Sequence, residues 1–332
     1  MTAANSRTLV VGIDEAGYGP LLGPLVVSAV AFRAPTALVA TNWWEPLHDA
    51  ITQKARVREP RLVVADSKDL SRRKDGLRLL ERAALAFLCL PTADGTQRRY
   101  PPTLRGLLGQ LNRSVVDGLR EYPWYQDADF DLPAANDPTA ISTQRTVLAT
   151  SLARSGIEFV GAGSEILLEG HFNRLVGATR NKSVALLGQT IRLIQRMAQA
   201  DGADTMSVYI DKQGGRQNYG QPLMTAFEDA RLEIIEETDT TSAYRLLRPQ
   251  AAWEIRFIQQ GESHHLPIAL ASIFSKYVRE LFMCAFNTFW RTHVPAVKAT
   301  AGYYQDGLRF LKDIDAAIRT LQIDRNLLIR SR

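Results

Sequence analysis

Short apolar runs that end on acids set the rhythm of this chain. Leu9–Asp14 (LVVGID) is a β-branched run closing on Asp-Glu, and Leu25–Phe32 (LVVSAVAF) follows after Gly-Tyr-Gly-Pro, so the pattern predicts strand, tight loop, strand. Ala65–Lys74 carries Ser67 and Ser71 as candidate caps ahead of Leu77, Leu79, Leu80 and Ala83 at helical spacing, which predicts a helix with a basic start. A strand and loop are expected over Gly156–Leu168 and an amphipathic helix over Asn181–Gln199, with Val184, Leu187, Ile191, Ile194 and Met197 on its apolar side. Met206–Asp211 (MSVYID) is another strand delivering an acid, with a turn forced by Gly214-Gly215. Trp253–Gln259 alternates like a strand. Pro267–Trp290 reads as a long helix with an embedded polar set (Ser272, Ser275, Lys276, Arg279, Glu280), and Asp306–Arg330 as one or two closing helices.

Strands and helices mixed in this order predict an α/β domain. The texture changes between Pro91 and Asn136, where Pro101-Pro102, the aromatics Tyr122, Trp124 and Tyr125, and the acids Asp127, Asp129 and Asp131 suggest a partly helical insertion or lid. The expected organisation is one catalytic domain over 1–332, with an insertion at 91–136 and a helical C-terminal part at 301–332. For the aromatic group the sequence leaves two roles open, binding a partner or nucleic-acid strand and, the commoner one, packing the insertion onto its own domain.

Composition narrows this picture modestly. With 332 residues, 45% hydrophobic and 23% charged, the chain is long enough for a large core. A net charge of +5 is compatible with a polyanionic partner without requiring one. Cys89 and Cys284 stand among apolar neighbours and read as buried thiols in a reducing compartment. Met1–Thr8 lacks the pattern of a signal peptide, and no apolar run approaches the roughly 20 residues of a membrane helix, so a cytoplasmic protein without a membrane partner is expected.

The chemistry lies in the acids. Asp14 and Asp211 end separate strands, Glu15 adjoins the first, and Glu280 sits on the late helix one turn after Lys276. Such a set suits hard cations, which take oxygen ligands; two Mg²⁺ about 3.5–4 Å apart can activate water and stabilise a leaving oxygen on a phosphodiester. Neighbouring strand residues face opposite sides, so Asp14 and Glu15 serve one site only if the strand ends there, as Gly17 allows. Gly17-Tyr18-Gly19 removes Cβ obstruction where a sugar-phosphate can approach backbone N–H groups. His264-His265 near Glu262 lacks a third ligand at zinc spacing. Arg72-Arg73-Lys74 and Arg98-Arg99 are candidate contacts to a duplex backbone.

Four segments carry a family resemblance. Residues 12–20 (GIDEAGYGP) followed by Gly23-Pro24-Leu25-Val26-Val27 resemble the opening signature of ribonuclease HII, type 2 ribonuclease H. Residues 66–71 (DSKDLS) resemble its DSKKLS segment, residues 271–280 (ASIFSKYVRE) its ASIxAKVxRD helix, and Gly302-Tyr303 its later GY element. The resemblance implies a ribonuclease H-like mixed sheet flanked by helices. It also implies two Mg²⁺ or Mn²⁺ ions held by Asp14, Glu15, Asp211 and Glu280, with Asp14 bridging both. The Gly17–Gly19 loop would read a ribose 2′-OH. Lys68, Lys276 and Tyr303 are the further expected substrate contacts. The implied activity is endonucleolytic hydrolysis, by a monomer, of the RNA strand of RNA–DNA hybrids or of ribonucleotides embedded in duplex DNA. The family has arginine at the place of Tyr18 and aspartate at that of Glu280. A nucleic-acid-binding protein of the same fold with weak or lost catalysis, or a nuclease acting on another substrate, is therefore the alternative.

Overall fold

The two β-branched runs flanking the glycine loop become β1 (Arg7–Ala16) and β2 (Leu25–Pro35), antiparallel, with Asp14 opposite Ser28 and Glu15 opposite Val27. The structure, a computed structural model, describes residues 6–56, 59–92, 94–202, 204–213 and 216–331; the turn expected at Gly214-Gly215 and residues 1–5 of the amino-terminal reading lie outside them. A minor parallel pair follows, β3 (Ile51–Thr52) and β4 (Leu62–Val63). The helices α1 (Ser67–Ser71), α2 (Gly76–Leu88), α3 (Leu104–Leu111), α4 (Arg113–Gly118) and α5 (Pro138–Ser155) lead to β5 (Glu158–Leu167). Next come α6 (Glu169–Thr179), α7 (Lys182–Asp201), β6 (Thr205–Asp211), α8 (Gly220–Ala226) and the strands β7 (Arg231–Glu237), β8 (Thr241–Arg248) and β9 (Ala251–Ile258). Last are α9 (Leu266–His293), α10 (Tyr304–Asp313), α11 (Asp315–Thr320) and α12 (Arg325–Leu328).

The main sheet has seven strands in the order β5-β2-β1-β6-β9-β8-β7. Its centre is parallel, β1 beside β6 beside β9, and its flanks are antiparallel. This is the expected α/β class, a mixed sheet covered by helices on both faces. Side chains alternate along β1, so Val10 joins the core under α2 and α9 while Leu9, Val11 and Ile13 join the one under α7. Gly12 belongs to the α9 side. A Cβ there would lie 2.1 Å from the Pro267 carbonyl carbon, so only glycine lets the start of α9 lie directly on β1.

Residues 91–136 pack onto this frame as an integral layer. Tyr122, Trp124 and Tyr125 are buried, with Trp124 stacked on Trp290 at 6.3 Å and Tyr125 edge-on to Phe282 at 4.9 Å. The aromatic group is thus core against α9, which decides between the two roles that the sequence left open.

Several expectations need correction. The helix expected over 65–74 and beyond is broken into α1 and α2, and its start is capped by Asp66, whose side chain accepts from the Lys68 N–H, rather than by Ser67. Val184 is exposed and lines an open groove against α8, whereas Leu187, Ile194 and Met197 are buried as expected. Cys284 is exposed on α9; only Cys89 is buried. The C-terminal part forms three short helices. The hairpin β7–β8 is a further difference: the outer strand RLEIIEE exposes both Ile234 and Ile235, so it has no apolar alternation to announce it.

The Gly12 contact yields a test. Gly12→Ala should cost more than about 3 kcal/mol of unfolding free energy, because the neighbour is backbone and cannot yield. Urea unfolding of the variant checks this, and an unchanged midpoint would contradict it.

Candidate active site

Three parallel strands end side by side, and each brings an acid to the same rim. Asp14 is on the α9 face of β1, where the Ser275 hydroxyl donates to its backbone carbonyl at 2.8 Å. By alternation Glu15 faces the α7 layer, yet it is the last residue but one of the strand and so reaches the rim as well. Asp211 ends β6, next to β1. Beyond the end of β9, Gln260 takes a left-handed conformation (φ 54°) and the chain turns into a single 3₁₀ turn, Gly261–Ser263, which tucks Glu262 inward. The Gly261 N–H donates to Asp211 Oδ1 at 2.9 Å, tying that turn to β6.

Electrostatics binds these four acids into one site. Burial pushes Asp14 well above the usual carboxylate range, and the charges of Glu15 and Glu262 add to it, against a hydrogen bond from Ser272. Glu15 is pushed up to about 7 by burial and then by Asp211, with Lys68 opposing. Asp211 is pushed up to about 8 by burial and then by the charges of Asp14 and Glu262. Lys68 feels the converse: burial disfavours its charge, but Asp14, Glu262, Asp66 and Asp211 outweigh that and raise it. One lysine faces four carboxyls.

A hard divalent cation fits this donor set, since the oxygens are gathered, largely buried and short of positive charge. Glu262 Oε2 is buried with no hydrogen-bond partner among the described residues, as suits a ligand oxygen. As the side chains stand, no three His, Cys, Asp or Glu among the described residues are already arranged as a ligand set.

The other expected site residues divide. Glu280 does not join the three acids in this structure: one turn beyond Lys276 on α9, its Oε1 takes the Lys276 ammonium at 2.7 Å. The acid placed beside Asp14 and Asp211 is Glu262. Its signal lay in the same rule that singled out Asp14 and Asp211, a strand followed at once by an acid, obscured because two residues and a glycine separate it from the end of β9. Ser272 and Ser275, members of the polar set embedded in the late helix, are both buried and support Asp14. Gly17 (φ 89°) and Gly19 flank Tyr18 in the loop beside this rim, and burial, then Glu15, raises the Tyr18 phenol. Tyr303 is 51% exposed, its ring 5.8 Å from the Arg279 guanidinium. His265 stacks on Tyr209 at 4.5 Å and is held down to about 4 by burial and by His264 and Arg256.

No protein-family model matches the chain. Ribonuclease HII of Gluconobacter oxydans (strain 621H) is 78% identical to it over 27 residues, which are 8% of this chain and 13% of that protein. The family named by this short match is the one the motifs resemble. Among solved structures, a point mutant of Bst-RNase HIII is similar at 14% identity and a TM-score of 0.45, over 99% of this chain and 68% of that one. The RNase HII of Archaeoglobus fulgidus, solved in a PCNA complex, gives 14% and 0.42, over 98% and 94%. Ribonuclease H2 of Pyrococcus horikoshii OT3 gives 12% and 0.38, over 97% and 92%.

The acid cluster predicts a pH dependence. Folded Glu15 and Asp211 hold protons more tightly than the ordinary values of 4.5 and 3.8, so the stability they contribute is complete below about pH 4 and lost as pH rises through about 7 and about 8. Melting temperature in a chelator should fall from pH 6 to pH 8, and Mn²⁺ should raise it more at pH 8 than at pH 5.5. Scanning fluorimetry measures both; a Mn²⁺ effect independent of pH would contradict the cluster's role.

Proposed function

We propose that this protein is a metal-dependent endonuclease of the ribonuclease HII type. It hydrolyses the RNA strand of RNA–DNA hybrids, or ribonucleotides embedded in duplex DNA, leaving a 3′-hydroxyl and a 5′-phosphate. The observation that carries this reading is the meeting of Asp14, Glu15, Asp211 and Glu262 at one buried rim, beside Lys68 and the Gly17–Gly19 loop. Those four acids would hold two ions, Mg²⁺ or Mn²⁺. Bound there, the ions would supply positive charge to the phosphodiester and make water a stronger nucleophile at neutral pH.

The chain's own groups prepare the site. Ser272 and Ser275 fix Asp14 from α9, and the Gly261 N–H fixes Asp211, so the carboxyls are oriented before substrate arrives. Lys68 stands among the acids as a fixed cation able to face a phosphate oxygen. The Gly17–Gly19 loop permits close approach of a ribose, whose 2′-OH both donates and accepts. Tyr303 offers an exposed ring on which a sugar or base can rest. Lys276, neutralised by Glu280, supports the wall of the site instead of contacting substrate directly. In this reading the enzyme acts as a monomer in the cytoplasm.

Tyr18 favours one variation. An aromatic ring at the centre of the loop lacks the fork of an arginine, so discrimination between a lone ribonucleotide and a continuous hybrid should be shallow.

The test is cleavage of three labelled duplexes, an RNA–DNA hybrid, a DNA duplex with one ribonucleotide and an all-DNA control, each with Mg²⁺ and with Mn²⁺. Cutting only where RNA is present is expected, and Asp14→Asn and Glu262→Gln should each lower the rate by roughly a hundredfold or more with hybrid binding retained. Cutting of the all-DNA control, or full activity in Asp14→Asn, would overturn the assignment. Binding without cutting under either metal would favour the catalytically impaired alternative.

A further inference from the structure

Two guanidinium groups lie beneath the glycine loop, brought there from opposite directions. Arg330 follows α12 and is 2% exposed. Its backbone N–H donates to the Leu21 carbonyl at 3.0 Å, and its side chain donates to the carbonyls of Gly17 and, at 3.1 Å, Tyr18. Its guanidinium lies 3.9 Å over the Phe172 ring. Arg279, on α9 and 1% exposed, donates to the carbonyls of Leu22 at 3.1 Å and Ala301 at 3.0 Å. It fills the space a Cβ on Gly17 would need, since that atom would fall 2.7 Å from its Nε.

The surroundings leave this pair with excess positive charge. Two acids face them: Glu280 beside Arg279, which also takes the Lys276 ammonium at 2.7 Å, and the buried Glu169. Burial pushes Glu169 up to about 7, while Tyr125, whose hydroxyl donates to it at 3.0 Å, and Arg330 work the other way. Burial and Arg279 pull Arg330 down to about 9, which keeps it charged at neutral pH. Nε and Nη1 of Arg279 and Nε of Arg330 have no hydrogen-bond partner among the described residues. Above them, no hydrogen bond among the described residues takes up the N–H groups of Gly17, Tyr18 or Gly19, and nothing lies within 4 Å of where a Cβ on Gly19 would be.

We propose that Arg279 and Arg330 are positioning residues for this loop: they draw its carbonyls inward, leave its N–H groups outward, and lend it the positive charge that Tyr18 does not carry, so that its outer face holds a substrate phosphate. The inference rests on the nuclease reading and deepens it. Arg330 is the residue to vary, because it reaches the loop from the end of a short helix, whereas Arg279 is built into the middle of α9.

The experiment compares wild type, Arg330→Met and Arg330→Lys in steady-state cleavage of the hybrid with Mg²⁺, and in hybrid binding by fluorescence anisotropy with Ca²⁺ in its place. Arg330→Met should raise KM and Kd about tenfold with kcat changed less than about twofold, and should flatten the dependence of Kd on salt. Arg330→Lys keeps the charge but cannot bridge both carbonyls, so an intermediate effect is expected. It decides the matter if Arg330→Met does not fold. Variants that cut and bind like wild type overturn the inference and leave the nuclease reading standing. Wild type that binds the hybrid without cutting overturns that reading, and the variants' Kd still judges the loop. Wild type that neither binds nor cuts overturns both.

Discussion

The constraint on which this structure turns is the concentration of negative charge where β1, β6 and β9 end together. Parallel strands place their carboxyl ends on one side, so acids just past those ends converge however far apart they lie in sequence. Burial and mutual repulsion then make the charged forms costly, which is why Glu15 and Asp211 are held near neutrality in their titration. A single lysine cannot offset four carboxyls. Divalent cations can, and a polyanionic substrate can reach such a rim only with cations between it and the acids.

The remainder of the fold keeps that charge in place. α9 lies directly on β1 because Gly12 has no side chain, and from that contact Ser272 and Ser275 reach Asp14. The far side of α9 is braced by Trp124 and Tyr125, so the segment 91–136 supports the site at a distance through the helix that carries its serines. Arg279 couples the same helix to the glycine loop. Loop, strand ends and helix are therefore one mechanical unit, in which a change at Gly12 or Trp290 would be felt at Asp14.

Much of this was legible in the sequence, because the central strands are β-branched runs whose ends are marked by Asp14 and Asp211, and because the GIDEAGYGP stretch is distinctive. The aromatic residues at 122–125 took the commoner of the two roles open to them. Local pattern fails where tertiary packing decides. Glu280 and Glu262 both stand near the long helix, and only the turn made by Gln260 and Gly261 determines which of them enters the rim. Arg330 gave no signal, since its role depends on a chain reversal that brings the C-terminal segment under a loop more than 300 residues earlier. The β7 strand escaped because an exposed edge with acids on it has no periodicity to read.

In the proposed reading Asp14, Glu15, Asp211 and Glu262 hold the cations and Glu280 lies outside their site. Calorimetric titration of Mn²⁺ into wild type, Glu262→Gln and Glu280→Gln tests it most directly. Saturable binding in wild type and Glu280→Gln, with marked weakening in Glu262→Gln, is the predicted result. Binding undisturbed in Glu262→Gln but lost in Glu280→Gln, or absent from wild type, would contradict the account.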